Sequence, residues 1–309
     1  MRVIFMGTPD FAVPSLEALL TKHEVVLVVT QPDKPKGRGK KMVPTPVKAC
    51  ALEHGIPVLQ PEKVKEPEFV EQLRSYEPDL IAVTAFGQIL SEPILEMPKY
   101  GCINVHGSLL PKYRGAAPMQ WSIIDGEKVT GITTMYMAKG LDSGDMLLKA
   151  EVKITDEDTF ATIHDKMAVT GANLLLDTLD QLEAGTLERI PQDHDAATYA
   201  PMITKETGHI DWSKNRQDII NLIRGLNPVP AAYTIYEEEV LKIFGAVISD
   251  VQADDAANGE IVAVVKKGFV VKCGDGCLLI TEVQARGGKR MMTDAYLRGH
   301  AMKEGILLQ

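Results

Sequence analysis

The chain has 309 residues, of which 45% are hydrophobic and 24% are charged, a composition typical of an ordinary globular protein. Its formal net charge of -9 argues against a protein that binds nucleic acid through a basic surface overall. No apolar run approaches the roughly 18 residues of a membrane span, and the first residues lack the apolar region of a signal peptide, so we expect a cytoplasmic protein without membrane contact. The four cysteines lack the spacing of zinc ligands, and we expect no bound metal.

The first half of the chain alternates short apolar strands with helical patterns. Strands are predicted at 3–6, 25–30, 57–59, 80–84, 102–106 and 132–137, and helices at 13–21, 46–53, 67–76, 93–97, 119–124 and 160–183. Near-continuous Val, Ile and Leu strands separated by helices are typical of a mostly parallel sheet that is covered on both faces. The pattern therefore predicts an α/β, Rossmann-like domain over residues 1–189.

The second half has a different pattern. Residues 195–206 show little periodicity and contain a proline, which predicts a linker at 190–207. One helix is predicted at 216–226, followed by short strands at 232–235, 240–247, 259–265, 268–272 and 277–283. Several short strands separated by glycine-containing turns indicate a small β-barrel of the OB type over residues 208–309.

The loops after the first two strands suit different ligands. Residues 7–12 contain a single glycine, which disfavours the loop that binds a nicotinamide dinucleotide. Residues 31–41 contain five cations and one acid, and their prolines and glycines are expected to keep the segment out of helix and sheet. The cations are Lys34, Lys36, Arg38, Lys40 and Lys41. Such a cluster in an acidic protein fits the phosphates of a nucleic acid, and a merely solvated loop is the alternative.

An apolar loop follows the strand at 80–84. It contains Phe86, Gly87, Gln88, Ile89 and Leu90. Because ligands of open α/β sheets bind outside the carboxyl ends of the strands, this loop is suited to form a pocket wall. Its backbone groups would hydrogen-bond a flat heterocycle.

The stretch from residue 101 to 118 places two polar side chains near a loop. Side chains alternate along a strand, so Asn104 and His106 share one face of the strand at 102–106. The loop that follows contains Ser108, Leu109, Leu110 and Pro111. A carboxamide and an imidazole at this edge suit a binding or catalytic site, although these two residues alone favour a hydrogen-bonded core pair.

A third polar element surrounds Asp142. It follows the strand at 132–137, so we expect it also to lie at a strand end, where the glycines on both sides let the chain turn and deliver Asp142 inward. A plain turn with an exposed aspartate is the alternative for this segment alone.

Together these segments resemble the folate-dependent formyltransferases, and in particular the branch that acts on transfer RNA. The resemblance covers essentially the whole chain, and Val229 stands where that branch would have an aromatic residue. The matching motifs are residues 104–111 with Arg114-Gly115 after them, Asp142-Ser143-Gly144, residues 6–12, residues 36–41, Asp211-Trp212 and Asn227-Pro228.

The resemblance implies that a formyl group moves from 10-formyltetrahydrofolate to the α-amine of methionyl initiator tRNA, in a monomer that needs no metal. Asn104 and His106 would donate hydrogen bonds to the formyl oxygen, and Asp142 would orient the imidazole or position a water that relays the proton. The loops at 86–90 and 108–111 would hold the folate. The cations Lys36, Arg38, Lys40 and Lys41, together with Arg286, Lys289, Arg290, Arg298 and Lys303 near the C-terminus, would contact the tRNA.

Two alternatives stay open. Another folate-dependent formyltransferase, acting on glycinamide ribotide or an amino sugar-nucleotide, would share Asn104, His106 and Asp142. The basic loop and the C-terminal barrel favour tRNA, because a small substrate needs neither. A non-catalytic RNA-binding protein with a degenerate enzyme domain is disfavoured by the intact set of three polar residues.

Overall fold

The structure is a computed structural model that describes residues 1–36, 39 and 41–309. The chain packs into two compact units, which contain Met1–Pro118, Val129–Lys153 and His164–Ala200, and Met119–Lys128, Ile154–Ile163 and Pro201–Gln309, respectively. Two short internal segments thus belong with the second unit, while the predicted domain limits at residues 189 and 208 stay predictions. Of the helices in the described part of the chain, none has the length and apolar character that crossing a membrane requires.

The elements up to residue 200 follow the predicted alternation closely. The strands are β1 (Arg2–Gly7), β2 (Glu24–Val29), β3 (Lys34–Lys36), β4 (Lys41–Val43), β5 (Val58–Leu59), β6 (Leu80–Thr84), β7 (Cys102–His106), β8 (Arg114–Gly115), β9 (Val129–Tyr136), β10 (Met146–Lys153) and β11 (Tyr199–Ala200). The helices are α1 (Val13–Lys22), α2 (Pro46–Glu53), α3 (Pro67–Arg74), α4 (Glu92–Leu95), α5 (Pro118–Ile124) and α6 (Phe160–Ala184).

A seven-stranded sheet in the order β10-β9-β7-β6-β1-β2-β5 forms the centre of the first unit. In this sheet order, the strands β7, β6, β1, β2 and β5 are parallel to one another. At one edge of the sheet, β9 pairs antiparallel with β7, and β10 pairs antiparallel with β9. This arrangement confirms the predicted α/β fold with a mostly parallel sheet. The core forms where apolar residues align across neighbouring strands, as Ile4 does with Leu27 and Ile81, and where α3 adds Leu73. Burying one such side chain stabilises the fold by about 1.5–3 kcal/mol.

The basic segment departs from its prediction. β3 and β4 pair as an antiparallel ribbon, with Lys34 opposite Val43 and Lys36 opposite Lys41, so the expectation that residues 31–41 avoid sheet structure is wrong at 34–36 and 41, whereas residues 31–33 lie outside strands as expected. Pro35 lies within β3, and a two-stranded ribbon tolerates it because each strand has an edge where no N–H is needed. Arg38 and Lys40 lie outside the described residues.

Residues 190–200 also carry pairings that the sequence pattern did not indicate. β11 pairs in parallel with β8, which follows the loop after β7, and Ile190 forms a bridge with Met146 at the start of β10. Strands of two residues have no periodicity, which is why the pattern missed them.

The second unit is built on a separate antiparallel sheet. Its elements are α7 (Arg216–Gly225), β12 (Ala232–Tyr236), β13 (Glu239–Ser249), β14 (Ile261–Val265), β15 (Gly268–Cys273), β16 (Gly276–Ala285), β17 (Met291–Met292) and α8 (Thr293–Leu297). The strands follow the order β12-β13-β16-β15-β14, with β17 beside β16. Backbone hydrogen bonds join Leu308 to Gly259 next to β14 and Gln309 to Ile235 of β12, so one segment pairs at both edges. Covering both edges closes the sheet and confirms the predicted barrel-like domain.

Candidate active site

The alternation predicted for β7 holds. Ile103 and Val105 are buried in the core, whereas Asn104 on the opposite face is half-buried. No group in the described chain hydrogen-bonds the carboxamide of Asn104, so Asn104 and His106 do not form the self-satisfied core pair that the sequence left open. The Asn104 amide therefore remains available as a donor to a ligand.

His106 lies at the end of β7 and is almost completely buried. Its Nε2 lies 3.0 Å from the backbone carbonyl of Tyr113, a contact in which the nitrogen must donate. Its Nδ1 lies 3.7 Å from Oδ2 of Asp142, which is too long for a direct hydrogen bond but within ion-pair range of a protonated ring. The two ring nitrogens thus face a carbonyl and a carboxylate.

Asp142 reaches His106 by a route that the sequence did not predict. β9 runs antiparallel to β7 and ends beside Ile103, so its C-terminal end lies at the start of β7 and not at the edge where β7 ends. The loop at 137–145, which joins β9 to β10, brings the carboxylate back to His106. Asp142 has a left-handed backbone (φ 45°), and its Oδ2 accepts a hydrogen bond of 2.8 Å from the backbone N–H of Gly115.

The loop after β7 is held by hydrogen bonds from its own Ser108 and from Thr133 on the neighbouring strand β9. The Ser108 hydroxyl is fully buried and donates to the carbonyl of Lys112 at 2.6 Å. The Thr133 hydroxyl donates to the Ser108 carbonyl at 2.7 Å and accepts from the Leu110 N–H at 3.1 Å. The Leu110 side chain is buried as well. Ser108 and Leu110 therefore point inward, and the side chains that the loop offers to a ligand are those of Leu109 and Pro111, both part-exposed.

In the apolar loop after β6, some side chains are likewise buried and others are exposed. Phe86 and Leu90 are buried in the core of the first unit. The Gln88 carboxamide accepts from the N–H of Val64 at 2.8 Å and donates to the carbonyl of Pro61 at 3.1 Å. Ile89 is 84% exposed. Ile89 and the exposed backbone of Gly87 are consequently what this loop presents at the sheet edge.

A polar cluster anchors the base of the β3–β4 ribbon. Lys48 Nζ contacts Oδ2 of Asp33 at 2.6 Å and Oε1 of Gln60 at 2.7 Å, and the Gln60 amide donates to Asp33 at 2.7 Å. Hydrogen bonds from Lys48 and Gln60 hold the pKa of Asp33 below its ordinary value. The cluster thus fixes where the ribbon leaves the sheet, with Lys34 and Lys41 exposed on it.

The C-terminal cations are mostly ion-paired. The pairs are Arg286 with Glu239, Arg290 with Glu282, Arg298 with Asp294 and Lys303 with Glu237. Pairing reduces the positive field that these side chains present. Their predicted contact with tRNA stays a prediction.

Sequence reasoning missed two polar residues that hold the site together. Thr133 fixes the loop after β7, and nothing in the sequence distinguishes it from the other threonines of β9. Gln192 hydrogen-bonds the loop that carries Asp142, and no motif marks it because its partners lie about 50 residues away in the chain. In the described chain, no group of three or more His, Cys, Asp or Glu side chains is arranged to hold a metal ion.

The chain matches known proteins along its whole length. The formyl transferase family model matches residues 1–179, and the model of the formyl transferase C-terminal domain matches residues 202–301. The chain belongs to the formyl transferase family.

Its relatives include the methionyl-tRNA formyltransferase of Acetivibrio thermocellus, 53% identical over 309 residues that cover 100% of this chain and 99% of that one. The enzyme of the same name from Ruminiclostridium cellulolyticum is 55% identical over 307 residues, covering 99% and 98% of the two chains.

Solved structures share the fold at low identity. The sugar 3N-formyl transferase WlaRD, determined with dTDP and 5-N-formyl-THF, is 19% identical with a TM-score of 0.67, covering 92% of this chain and 97% of its own. HypX from Aquifex aeolicus with tetrahydrofolic acid is 17% identical with a TM-score of 0.66, covering 100% of this chain and 50% of its own.

Proposed function

We propose that this protein transfers the formyl group of 10-formyltetrahydrofolate to the α-amine of methionyl initiator tRNA. The observation that carries the proposal is that Asn104, whose amide has no partner in the described chain, shares a strand face with His106, which is paired with Asp142. The full-length relatives of the chain, at about half identity, are methionyl-tRNA formyltransferases. Formyl transfer between two amines needs a polarised formyl carbon and a path for one proton, and these three side chains supply both.

Asn104 is the proposed oxyanion donor. As the amine attacks the formyl carbon, negative charge grows on the formyl oxygen, and an amide N–H aimed at that oxygen binds the transition state more tightly than the substrate. A single donor of this kind is typically worth about 3–4 kcal/mol of barrier. The Asn104 amide has no competing protein partner in the described chain, which supports this role.

His106 is the proposed second donor, oriented by Asp142. Its Nε2–H donates to the Tyr113 carbonyl and would exchange that partner for the formyl oxygen when the reactants bind. The Asp142 carboxylate, 3.7 Å from Nδ1, would close to hydrogen-bond distance once the ring carries a second proton. Catalytic hydrogen bonds commonly tighten only in the complex with reactants.

The proton balance needs no strong base. An α-amine has a reference pKa of about 7.7–8.0, so a substantial fraction is already neutral near pH 7. The new C–N bond forms while the bond from the formyl carbon to the folate nitrogen breaks, and the proton that the amine loses ends on that nitrogen. Asp142, part-exposed beside His106, would hold the water that relays it.

The folate and the tRNA would approach from different parts of the first unit. We propose that Leu109, Pro111, Gly87 and Ile89, together with the backbone of their two loops, hold the formyl donor. The cations of residues 34–41 would meet phosphates of the acceptor end, which suits an otherwise acidic protein because a focused patch directs binding. We expect the protein to act as a monomer.

A formylation assay distinguishes the candidate substrates. The purified protein and 10-formyltetrahydrofolate would be incubated separately with methionyl initiator tRNA, glycinamide ribotide and a dTDP-linked amino sugar, and formylated product measured. We expect turnover with the tRNA alone. Transfer to either small amine without transfer to the tRNA would overturn the proposal.

A further inference from the structure

Gln192 occupies a buried position beside the loop that carries Asp142. Its side chain is almost completely buried, and its Nε2 donates to two carbonyls of that loop, those of Asp142 at 2.8 Å and Gly144 at 2.7 Å. Both hydrogens of the amide are therefore used on one short turn. Since buried carbonyls need partners, this amide takes the place of the secondary structure that the turn lacks.

Arg114 fixes the orientation of the Gln192 amide. Its Nε and Nη2 donate to Oε1 of Gln192 at 3.1 and 2.7 Å, and Nη2 also contacts Nδ1 of His194 at 3.1 Å. The guanidinium is buried, and no carboxylate in the described chain forms an ion pair with it. Because the guanidinium can only donate, Oε1 must face Arg114 and Nε2 must face the loop. The charged donor also polarises the amide and strengthens its two outward hydrogen bonds.

The Asp142 loop needs this support. Asp142 has a left-handed backbone, which costs free energy for a residue other than glycine. A side chain at Gly144 would collide with the carbonyl of Tyr136, so the turn also passes close to β9. On one side the Gly115 N–H holds the Asp142 carboxylate, and on the other Gln192 holds the Asp142 backbone. The position of the carboxylate relative to His106 thus depends on both.

We propose that Gln192, oriented by Arg114, is a positioning residue for Asp142 in formyl transfer. The inference rests on the proposed function, because it assigns Gln192 a role only through the catalytic role of Asp142. Displacing a catalytic group by about 1 Å commonly costs about 100-fold in rate, whereas substrate binding elsewhere is little affected. Loss of the Gln192 hydrogen bonds should therefore lower kcat while leaving both KM values nearly unchanged.

The test compares Gln192→Met with Arg189→Ala. Methionine has a similar length and cannot donate, and the matched control removes an exposed arginine that contacts the same loop through Asp145 at 2.9 Å. We expect Gln192→Met to lower kcat by about 10–100-fold, with KM for the donor and for Met-tRNA changed by less than about 3-fold. The control should stay within about 2-fold of the unsubstituted protein in kcat.

The same measurement is repeated in an Asp142→Asn background. If Gln192 acts through Asp142, the additional loss from Gln192→Met should shrink to less than about 3-fold there, because effects of groups that act as a unit are not additive. An undiminished additional loss would overturn the proposal, as would a full kcat in the single Gln192→Met variant. A full kcat in Asp142→Asn itself would instead overturn the catalytic role of Asp142. This outcome distinguishes a failure of the proposed function from a failure of the positioning role of Gln192.

A second variant covers the case in which Gln192→Met does not fold, which circular dichroism would reveal. In Gln192→Glu the carboxylate can still accept from Arg114 but cannot donate to the two loop carbonyls, so this variant loses the hydrogen bonds to the Asp142 loop while keeping a partner for the buried guanidinium. We expect its kcat to fall by about 10–100-fold, with both KM values changed by less than about 3-fold. A full kcat in Gln192→Glu would overturn the positioning role.

Discussion

Thr133→Val tests how the loop after β7 is held. Valine has nearly the shape of threonine but cannot hydrogen-bond, so the substitution leaves the Ser108 carbonyl and the Leu110 N–H without their hydroxyl partner. Thr133 and Ser108 are both fully buried, so water cannot readily replace the hydroxyl. Each orphaned buried group costs about 1–3 kcal/mol, and the two together predict a loss of about 2–6 kcal/mol in the free energy of unfolding.

Urea unfolding followed by circular dichroism measures this loss. The matched control is Thr170→Val, which removes a hydroxyl of a part-exposed residue whose hydrogen bond in the described chain is to the Lys166 carbonyl of its own helix, and should cost less than about 0.5 kcal/mol. Since Leu109 and Pro111 belong to the same loop, we also expect a higher KM for the folate donor. A stability loss below about 1 kcal/mol together with an unchanged KM would refute the reasoning that Thr133 fixes this loop.

The remaining predictions concern other parts of the chain. Asn104→Ala should lower kcat by about 100–1,000-fold with the melting temperature retained, and a loss below about 5-fold would remove Asn104 from the oxyanion site. Lys41→Ala should reduce the slope of log affinity for tRNA against log salt by about 1, as each lost phosphate contact does, and an unchanged slope would mean that Lys41 is merely solvated. Burial lowers the pKa of His23, whose ring nitrogens lack hydrogen-bond partners in the described chain, so its neutral form stabilises the fold above about pH 6.5 and that contribution fades as pH falls below it. His23→Leu should flatten the decline in melting temperature between about pH 7 and 5, and an equally steep decline would contradict this assignment. Burial raises the pKa of Cys102 and of Cys273 to about 12, so DTNB at pH 8 should modify these thiols only after denaturation, and fast modification of the native protein would contradict their burial.

The sequence alone determined the fold class and the identity of the polar pair on β7. Apolar runs such as residues 80–83 of β6 contain their own strand signal, because a strand buried on both faces is made predominantly of apolar residues. The alternation that put Asn104 and His106 on one face is equally local, since it follows from the geometry of a single strand. Motifs made of contiguous residues, such as 104–111, can also be recognised without the tertiary structure.

The tertiary structure decided how these pieces meet. Strand direction is not encoded in the strand itself, so only the structure showed that β9 is antiparallel and that Asp142 returns to His106 through the loop at 137–145. Likewise, burial within a loop depends on partners that are distant in sequence, which is why Ser108 turned out to point inward.

Gln192 is the clearest case of this division. Its hydrogen bonds join Arg114, Asp142 and Gly144 across gaps of about 50 to 80 residues, and no periodicity within residues 190–207 indicates them. The sequence therefore supplied the reactive side chains, because their signals are local. Only the fold supplied the contacts that position those side chains, because such contacts exist only after distant segments have packed together.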